Sequence, residues 1–349
     1  MRTSFWRFLA AFGLALALTV PAAADKGGIA RFATLPTSGP GFPEGLAADA
    51  KGNIYVATFD FGAANNVIYV FGTNGLLTTT ITLDSGVIPL GLAFDSSGKL
   101  YAADFENGNV LQFSPPFTAA STPSATFPVC GGRVAGCGLN AMAFDSAGSL
   151  YVSDSFGGNI FKVALPGGAV STFFTDELLK PPLDHGFPPF GANGLAFDAA
   201  GANLYIANTA DDRILKLAIP PVDATSLTTF AESINGADGI TFDSAGRLWV
   251  AANQADEVVA LNSDGRIVDR VGSFDGILPD GSVKGLLFPA SIVLSRGSLF
   301  VTNLALALTS AIGDEPEEDV TTYTVSRIPL QGQGQGKGNG KGKGKGLGN

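Results

Sequence analysis

The sequence predicts an all-β fold, a six-bladed β-propeller of four-stranded antiparallel blades. Three observations predict it. One segment recurs six times: PEGLAADAKGNIYVA (43–57), PLGLAFDSSGKLYAA (89–103), LNAMAFDSAGSLYVS (139–153), ANGLAFDAAGANLYIA (192–207), ADGITFDSAGRLWVA (237–251) and, degraded, PASIVLSRGSLFVT (289–302). Its glycines, Gly52, Gly98, Gly148, Gly201, Gly246 and Gly297, stand 46, 50, 53, 45 and 51 residues apart, the period of one blade. Within each copy apolar and small residues alternate, reach a tight turn and resume in an aromatic-containing strand, which is the pattern of a hairpin.

The elements follow in chain order. Residues 1–24 read as a secretory signal peptide. Arg2 and Arg7 precede an apolar stretch over 8–20, and Ala22, Ala23 and Ala24 form a small-residue cleavage site. Thirteen residues are too few for a helix across a bilayer of roughly 30 Å, so the expectation is an exported protein, periplasmic or secreted, with no transmembrane segment after cleavage. The propeller is expected over 25–330. Strands near 29–34 and 321–328 are expected to pair and close the ring, which removes its open edges. In each blade Asp49, Asp95, Asp145, Asp198 or Asp243 occupies the hairpin turn, where aspartate bonds its own backbone. A third strand follows, as in NVLQF (109–113) and NIFKV (159–163), and then a weaker fourth, as in STFF (171–174). Residues 331–349, QGQGQGKGNGKGKGKGLGN, carry no apolar period and are expected to form a disordered tail.

Without the signal and the tail the chain holds 15 basic and 31 acidic residues, a net charge of −16. That balance excludes a nucleic-acid surface and suits a cation site. The tail is locally +4 and offers a contact for anionic polymer or membrane, or is simply a solvated spacer. The expected state is a monomer acting on a small-molecule substrate or ligand. Cys130 and Cys137 lie in one loop, VCGGRVAGC. An exported chain meets an oxidising compartment, so they are expected to form a disulfide.

One column of the repeat varies in an informative way. Eight residues before each glycine, or seven in the last copy, stand Glu44, Leu90, Asn140, Asn193, Asp238 and Ala290. The topology places this column at the start of the inner strands, around one mouth of the central channel. Four of the six can offer an oxygen to a cation, and hard divalent ions take such ligands; hydrated polar residues at a channel mouth are the other reading. The ends of the second strands return to the same mouth, bringing Thr58, Asp104, Asp154, Asn208, Ala252 and Asn303. Of these, Asp104, Asp154 and Asn208 are candidates to support the site from behind, or to cap their strands. Loops over 114–138 and 175–192 are expected to wall the pocket.

The segments PEGLAAD, ANGLAFDAAGANLY and ADGITFDSAGRLWVA resemble the gluconolactonase/regucalcin-like (LRE-like region) family of six-bladed propellers. The resemblance covers roughly 42–302. It implies that Glu44, Asn193 and Asp238 ligate one divalent cation, Ca²⁺ before Mg²⁺ or Mn²⁺, that Asp238 is also the catalytic base, and that Asn140 orients substrate. Lactonases of the family carry an arginine two residues before that asparagine; here Gly138 stands there. Arg133 in the same loop is a candidate to reach in instead. His185, in LDHGFPPFGAN, is a second candidate substrate contact and the chain's one histidine. With one histidine there is no His–His dyad, and no G-x-S-x-G nucleophile motif is present. These residues lead to an exported, metal-dependent hydrolase of a lactone or related cyclic ester. The alternative is a non-catalytic scaffold, since SGKLYAADFENGNVLQF (97–113) is similar to NHL propeller repeats, which bind ligands or proteins.

Overall fold

A computed structural model describes residues 28–182 and 189–330. The predicted signal peptide, the tail and His185 lie outside the described residues. Six four-stranded antiparallel sheets form the blades, and a small two-stranded hairpin (Phe274–Ile277 with Val283–Gly285) stands apart from them. The inner strands are Pro43–Ala48, Pro89–Phe94, Leu139–Phe144, Ala192–Phe197, Ala237–Phe242 and Pro289–Ser295. Each touches the next in chain order, and the sixth touches the first, so the ring is complete. The outermost strand of blade six is Ala30–Thr34, paired antiparallel with Thr324–Pro329. The two ends of the described propeller therefore close it, as the sequence predicts.

The hairpin turns show why the repeat carries its aspartate and glycine. In blade two, Asp95 Oδ1 accepts from the backbone N–H groups of Ser97 and Lys99 at 2.9 Å each. Gly98 closes the turn at φ +82°, in the left-handed region where a side chain is strained.

The core is divided among the gaps between blades. Each of six apolar clusters draws on two neighbouring blades. An aromatic residue three positions after most of the turn glycines, four in blade four, sets the contact. Tyr55 meets Phe94 of blade two at 4.9 Å, Tyr101 meets Phe144 of blade three at 5.3 Å, Tyr151 meets Phe197 of blade four at 5.0 Å and Tyr205 meets Phe242 of blade five at 5.1 Å. All four pairs are edge-to-face, the arrangement that ring quadrupoles favour. Tyr101 also donates to Gln112 Oε1 at 2.8 Å, which satisfies its buried hydroxyl. Replacing Tyr101 by alanine removes both the ring contact and the filled volume, and is expected to cost about 3–5 kcal/mol in chemical denaturation.

Candidate functional site at the channel mouth

Every inner strand begins with a bulge. In blade one Pro43 pairs with Thr58 and Leu46 with Val56, so Glu44 and Gly45 together face one residue, Ala57. The same irregularity follows Pro89, Leu139, Ala192, Ala237 and Pro289. A two-for-one bulge bends the strand and re-aims a side chain. Here it presents the variable column to the channel. The glycine after the column residue lets adjacent backbones meet: a Cβ on Gly45 would lie 2.1 Å from Leu90 O, and one on Gly194 would lie 2.2 Å from Asp238 O. The Glu-Gly, Asn-Gly and Asp-Gly pairs thus combine a functional side chain with the clearance its placement requires.

Five polar residues form the floor of one cavity: Glu44, Asn140, Asn193, Asp238 and Asn253. All five are buried. Asn193 Nδ2 donates to Thr209 Oγ1 at 2.9 Å, and Thr209 in turn donates to Ala237 O at 2.8 Å. Asn140 Nδ2 donates to Ser155 Oγ at 3.2 Å, and Ser155 donates to Ala192 O at 2.8 Å. In both cases the amide nitrogen is held by a neighbouring hydroxyl, which settles which end of the amide is left as acceptor. Asn253 Nδ2 donates to Asp238 Oδ2 at 3.2 Å, and Ser291 Oγ donates to Glu44 Oε2 at 3.4 Å.

Among the described residues no lysine or arginine lines the cavity. Burial pushes the Glu44 carboxyl well above its usual range, and the nearby Asp238 charge pushes it further. Burial likewise raises Asp238 to about 7, against hydrogen bonds from Asn253 and Asn193 that lower it. Two desolvated carboxylates facing one another without a cation are electrostatically unfavourable when both are ionised. A divalent cation reverses that penalty. Among the described residues no three His, Cys, Asp or Glu cluster closely enough to hold a metal. An ion here would rest on two carboxylates, completed by amide oxygens and water, a donor set that suits a hard cation.

Above the floor the lining is apolar: Phe59, Leu90, Phe190, Phe288, Leu304 and Leu306. The space that the centre of a water molecule can reach is about 20 Å³, room for an ion or a water at the floor, and it lies within about 370 Å³ of empty space that includes open solvent, where a larger ligand would extend. Of the two loops expected to wall the pocket, the described part of 175–192 supplies Phe190, whereas 114–138, folded back on itself by the Cys130–Cys137 disulfide, supplies none of the lining. The rest of the collar comes from Phe59, Leu90, Phe288, Leu304 and Leu306, the last three next to the cluster of Val283, Leu287, Ala305 and Val320.

The remaining sequence candidates fall elsewhere. Arg133 points away: its Nε and Nη2 donate to Glu106 at 2.6 and 3.0 Å on the exposed surface. Its loop is closed on itself by the Cys130–Cys137 disulfide. Asp104, Asp154 and Asn208 cap loops instead of backing the floor. Asp154 Oδ1 accepts from Gly138 N at 2.9 Å and Gly157 N at 3.0 Å, Asp104 Oδ1 accepts from Ile88 N at 3.3 Å, and Asn208 donates to Leu178 O at 2.8 Å. The residues that do support the floor, Ser155, Thr209 and Asn253, each lie one position further on. Regular alternation from the inner strand misses them, because the bulge shifts the register by one and with it the face each side chain occupies.

Comparison with known proteins agrees with this picture. Residues 118–273 match the model of the SMP-30/Gluconolactonase/LRE-like region family, a span that includes Asn140, Asn193 and Asp238. The chain resembles that family. Similar solved structures include a gluconolactonase of Xanthomonas campestris (16% identity, TM-score 0.59, covering 87% of this chain and 89% of that one). A calcium-binding protein, regucalcin, of Agrobacterium tumefaciens is similar at 18% identity, TM-score 0.58 and coverages of 85% and 92%. Virginiamycin B lyase of Staphylococcus aureus follows at 11% identity, TM-score 0.53 and coverages of 87% and 99%. At these identities the structures share the fold alone, and one fold hosts different chemistries. A sequence search of curated proteins gave no match.

The raised carboxyls carry a stability consequence. An acid whose folded pKa is raised stabilises the fold while protonated, and this contribution is lost as pH rises from about 4 towards 7. In cation-free protein at pH 8, Asp238→Asn is therefore expected to raise stability by on the order of a few kcal/mol. Thermal melts in chelator should show the gain at pH 8 and its disappearance near pH 4.

Proposed function

We propose that the protein is a lactonase-type hydrolase whose channel mouth binds one divalent cation, with Ca²⁺ the first choice. The observation that carries this reading is the pair of buried carboxylates, Glu44 and Asp238, raised in pKa and, among the described residues, without a cationic neighbour in their cavity. The family resemblance supports it at the level of reaction class.

Glu44, Asp238 and the amide oxygen of Asn193 are the residues that would hold the ion. When bound, such an ion polarises an ester carbonyl as a Lewis acid. The chain's own residues do the rest. Asn140, tied at Nδ2 to Ser155, turns its amide towards the substrate and orients it. Asp238 accepts a proton from the attacking water. The water oxygen bonds to the acyl carbon, the ring C–O bond breaks, and the proton passes to the departing alkoxide, giving the open-chain hydroxy acid. The apolar collar limits access of bulk water to the floor.

Export fits the joined cysteines, since structural disulfides persist in oxidising compartments. Among the described residues no helix is long and apolar enough to cross a membrane. We assign the lysine-bearing tail a weak, salt-sensitive contact with anionic surfaces.

A panel of lactones and esters, assayed with added Ca²⁺, Mn²⁺ or chelator, tests the central reading. Turnover that requires the cation, and falls by about 10³-fold or more in Asp238→Ala, is expected. Turnover that survives both chelation and this substitution would overturn it. Asn140→Ala should raise KM and lower kcat while leaving cation affinity unchanged.

A further inference from the structure

The collar over the polar floor says what kind of molecule the site admits. Besides the polar floor, the cavity is lined by Phe59, Phe190, Phe288, Leu304 and Leu306. Two of the six column positions, Leu90 and Ala290, are also apolar and buried. Phe190 belongs to a ring cluster. It stacks on Phe156 at 5.8 Å with planes 8° apart, and Phe105 meets Phe156 at 5.5 Å and Phe190 at 6.0 Å, both edge-to-face.

Gly138 is part of that cluster. A Cβ there would lie 2.8 Å from Phe105 Cε2 and 3.0 Å from Phe156 Cδ2. The position where the family resemblance expects an arginine is therefore filled by aromatic rings from two neighbouring loops. A long cationic side chain and this ring cluster exclude one another. Arg133 offers no substitute, because Glu106 holds it at the surface in a two-pronged pair. Among the described residues, the cavity lining beyond the floor supplies no side-chain hydroxyl, amide or charge to a substrate's outer face.

We propose that the site selects small, neutral, apolar acyl compounds, aliphatic or aromatic lactones and esters without hydroxyl groups, and rejects polyhydroxylated sugar lactones. This rests on the reading of the site as a lactonase. The reason is desolvation. Each ring hydroxyl pressed against phenylalanine and leucine loses its water and gains no partner. Apolar pockets discriminate by roughly 10²-fold against one added hydroxyl, and a sugar lactone carries several. An apolar ring meets the collar without that loss and takes water-exposed apolar surface with it.

The test compares two six-membered lactones of the same ring, δ-valerolactone and D-glucono-δ-lactone, on the cation-loaded protein. We expect kcat/KM at least 100-fold higher for δ-valerolactone. Equal rates, or a preference for the sugar lactone, would overturn the proposal while leaving the lactonase reading intact. Leu306→Asn, at a half-buried position, should cut the preference by about tenfold or more by adding one polar group to the collar. If neither lactone is turned over, the lactonase reading fails, and selectivity is then read from binding alone. δ-Valerolactam and D-glucono-δ-lactam, which are not hydrolysed, are titrated calorimetrically into the protein with and without Ca²⁺. Binding of the apolar lactam alone upholds the selectivity. Binding of neither, or of the sugar lactam, overturns it.

Discussion

Six inner strands must approach one axis closely enough to close a ring, and most of the site follows from that constraint. In blades one, two, four and five, where neighbouring strands meet at the channel mouth, there is no room for a side chain beside the backbone. Gly45 abuts Leu90 O and Gly194 abuts Asp238 O, each with clearance for hydrogen alone. The bulge that accompanies this approach puts two residues where the partner strand has one. In these four blades one of the two is the glycine that makes contact, and the other is the residue thrown into the channel; blades three and six carry Ala141 and Ser291 in the glycine's place. Tight closure and a convergent ring of side chains are two results of the same local geometry. The edge-to-face contacts of Tyr55, Tyr101, Tyr151 and Tyr205 hold the blades at the spacing this geometry needs.

Convergence has an electrostatic cost. Glu44 and Asp238 are buried together and both are harder to ionise than usual. A structure selected for stability alone would place apolar residues there, as blades two and six do with Leu90 and Ala290. Retaining two carboxylates in one buried cavity is the signature of a functional site, where pKa values are displaced by burial and like charge. Hydroxyls from Thr209 and Ser155 then hold the amides of Asn193 and Asn140 in place. Rigid support of this kind is what a binding site needs to keep its ligands oriented before the ion arrives.

Much of this was legible in the chain. The glycine period and the D-x-x-G turns fix blade number because each turn's chemistry is local: Asp95 bonds residues two and four positions on. The column of Glu44, Asn140, Asn193 and Asp238 was legible because it holds one phase of a repeat, and phase survives into three dimensions. What lay beyond reach depended on register and on loops. Ser155, Thr209 and Asn253 sit one residue past the column that simple alternation selects, and a bulge leaves no reliable mark in sequence. The collar escaped for a different reason. Phe59, Phe190, Phe288 and Leu306 come from four separate loops with no shared spacing, so only the folded ring brings them together. Arg133 shows the converse: a charge close in sequence to Asn140 turns outward once Glu106 offers it a partner at the surface.

The central claim is that the buried carboxylate pair exists to hold a divalent ion. Calorimetric titration of Ca²⁺ into chelator-stripped protein tests it most directly, run at pH 6 and pH 8 in buffers of different ionisation heat. The account predicts one site per chain, tighter binding at pH 8, and proton release at pH 6, where Asp238 is still largely protonated before the ion binds. Absence of binding by Ca²⁺, Mg²⁺ and Mn²⁺ alike, at either pH, would contradict it.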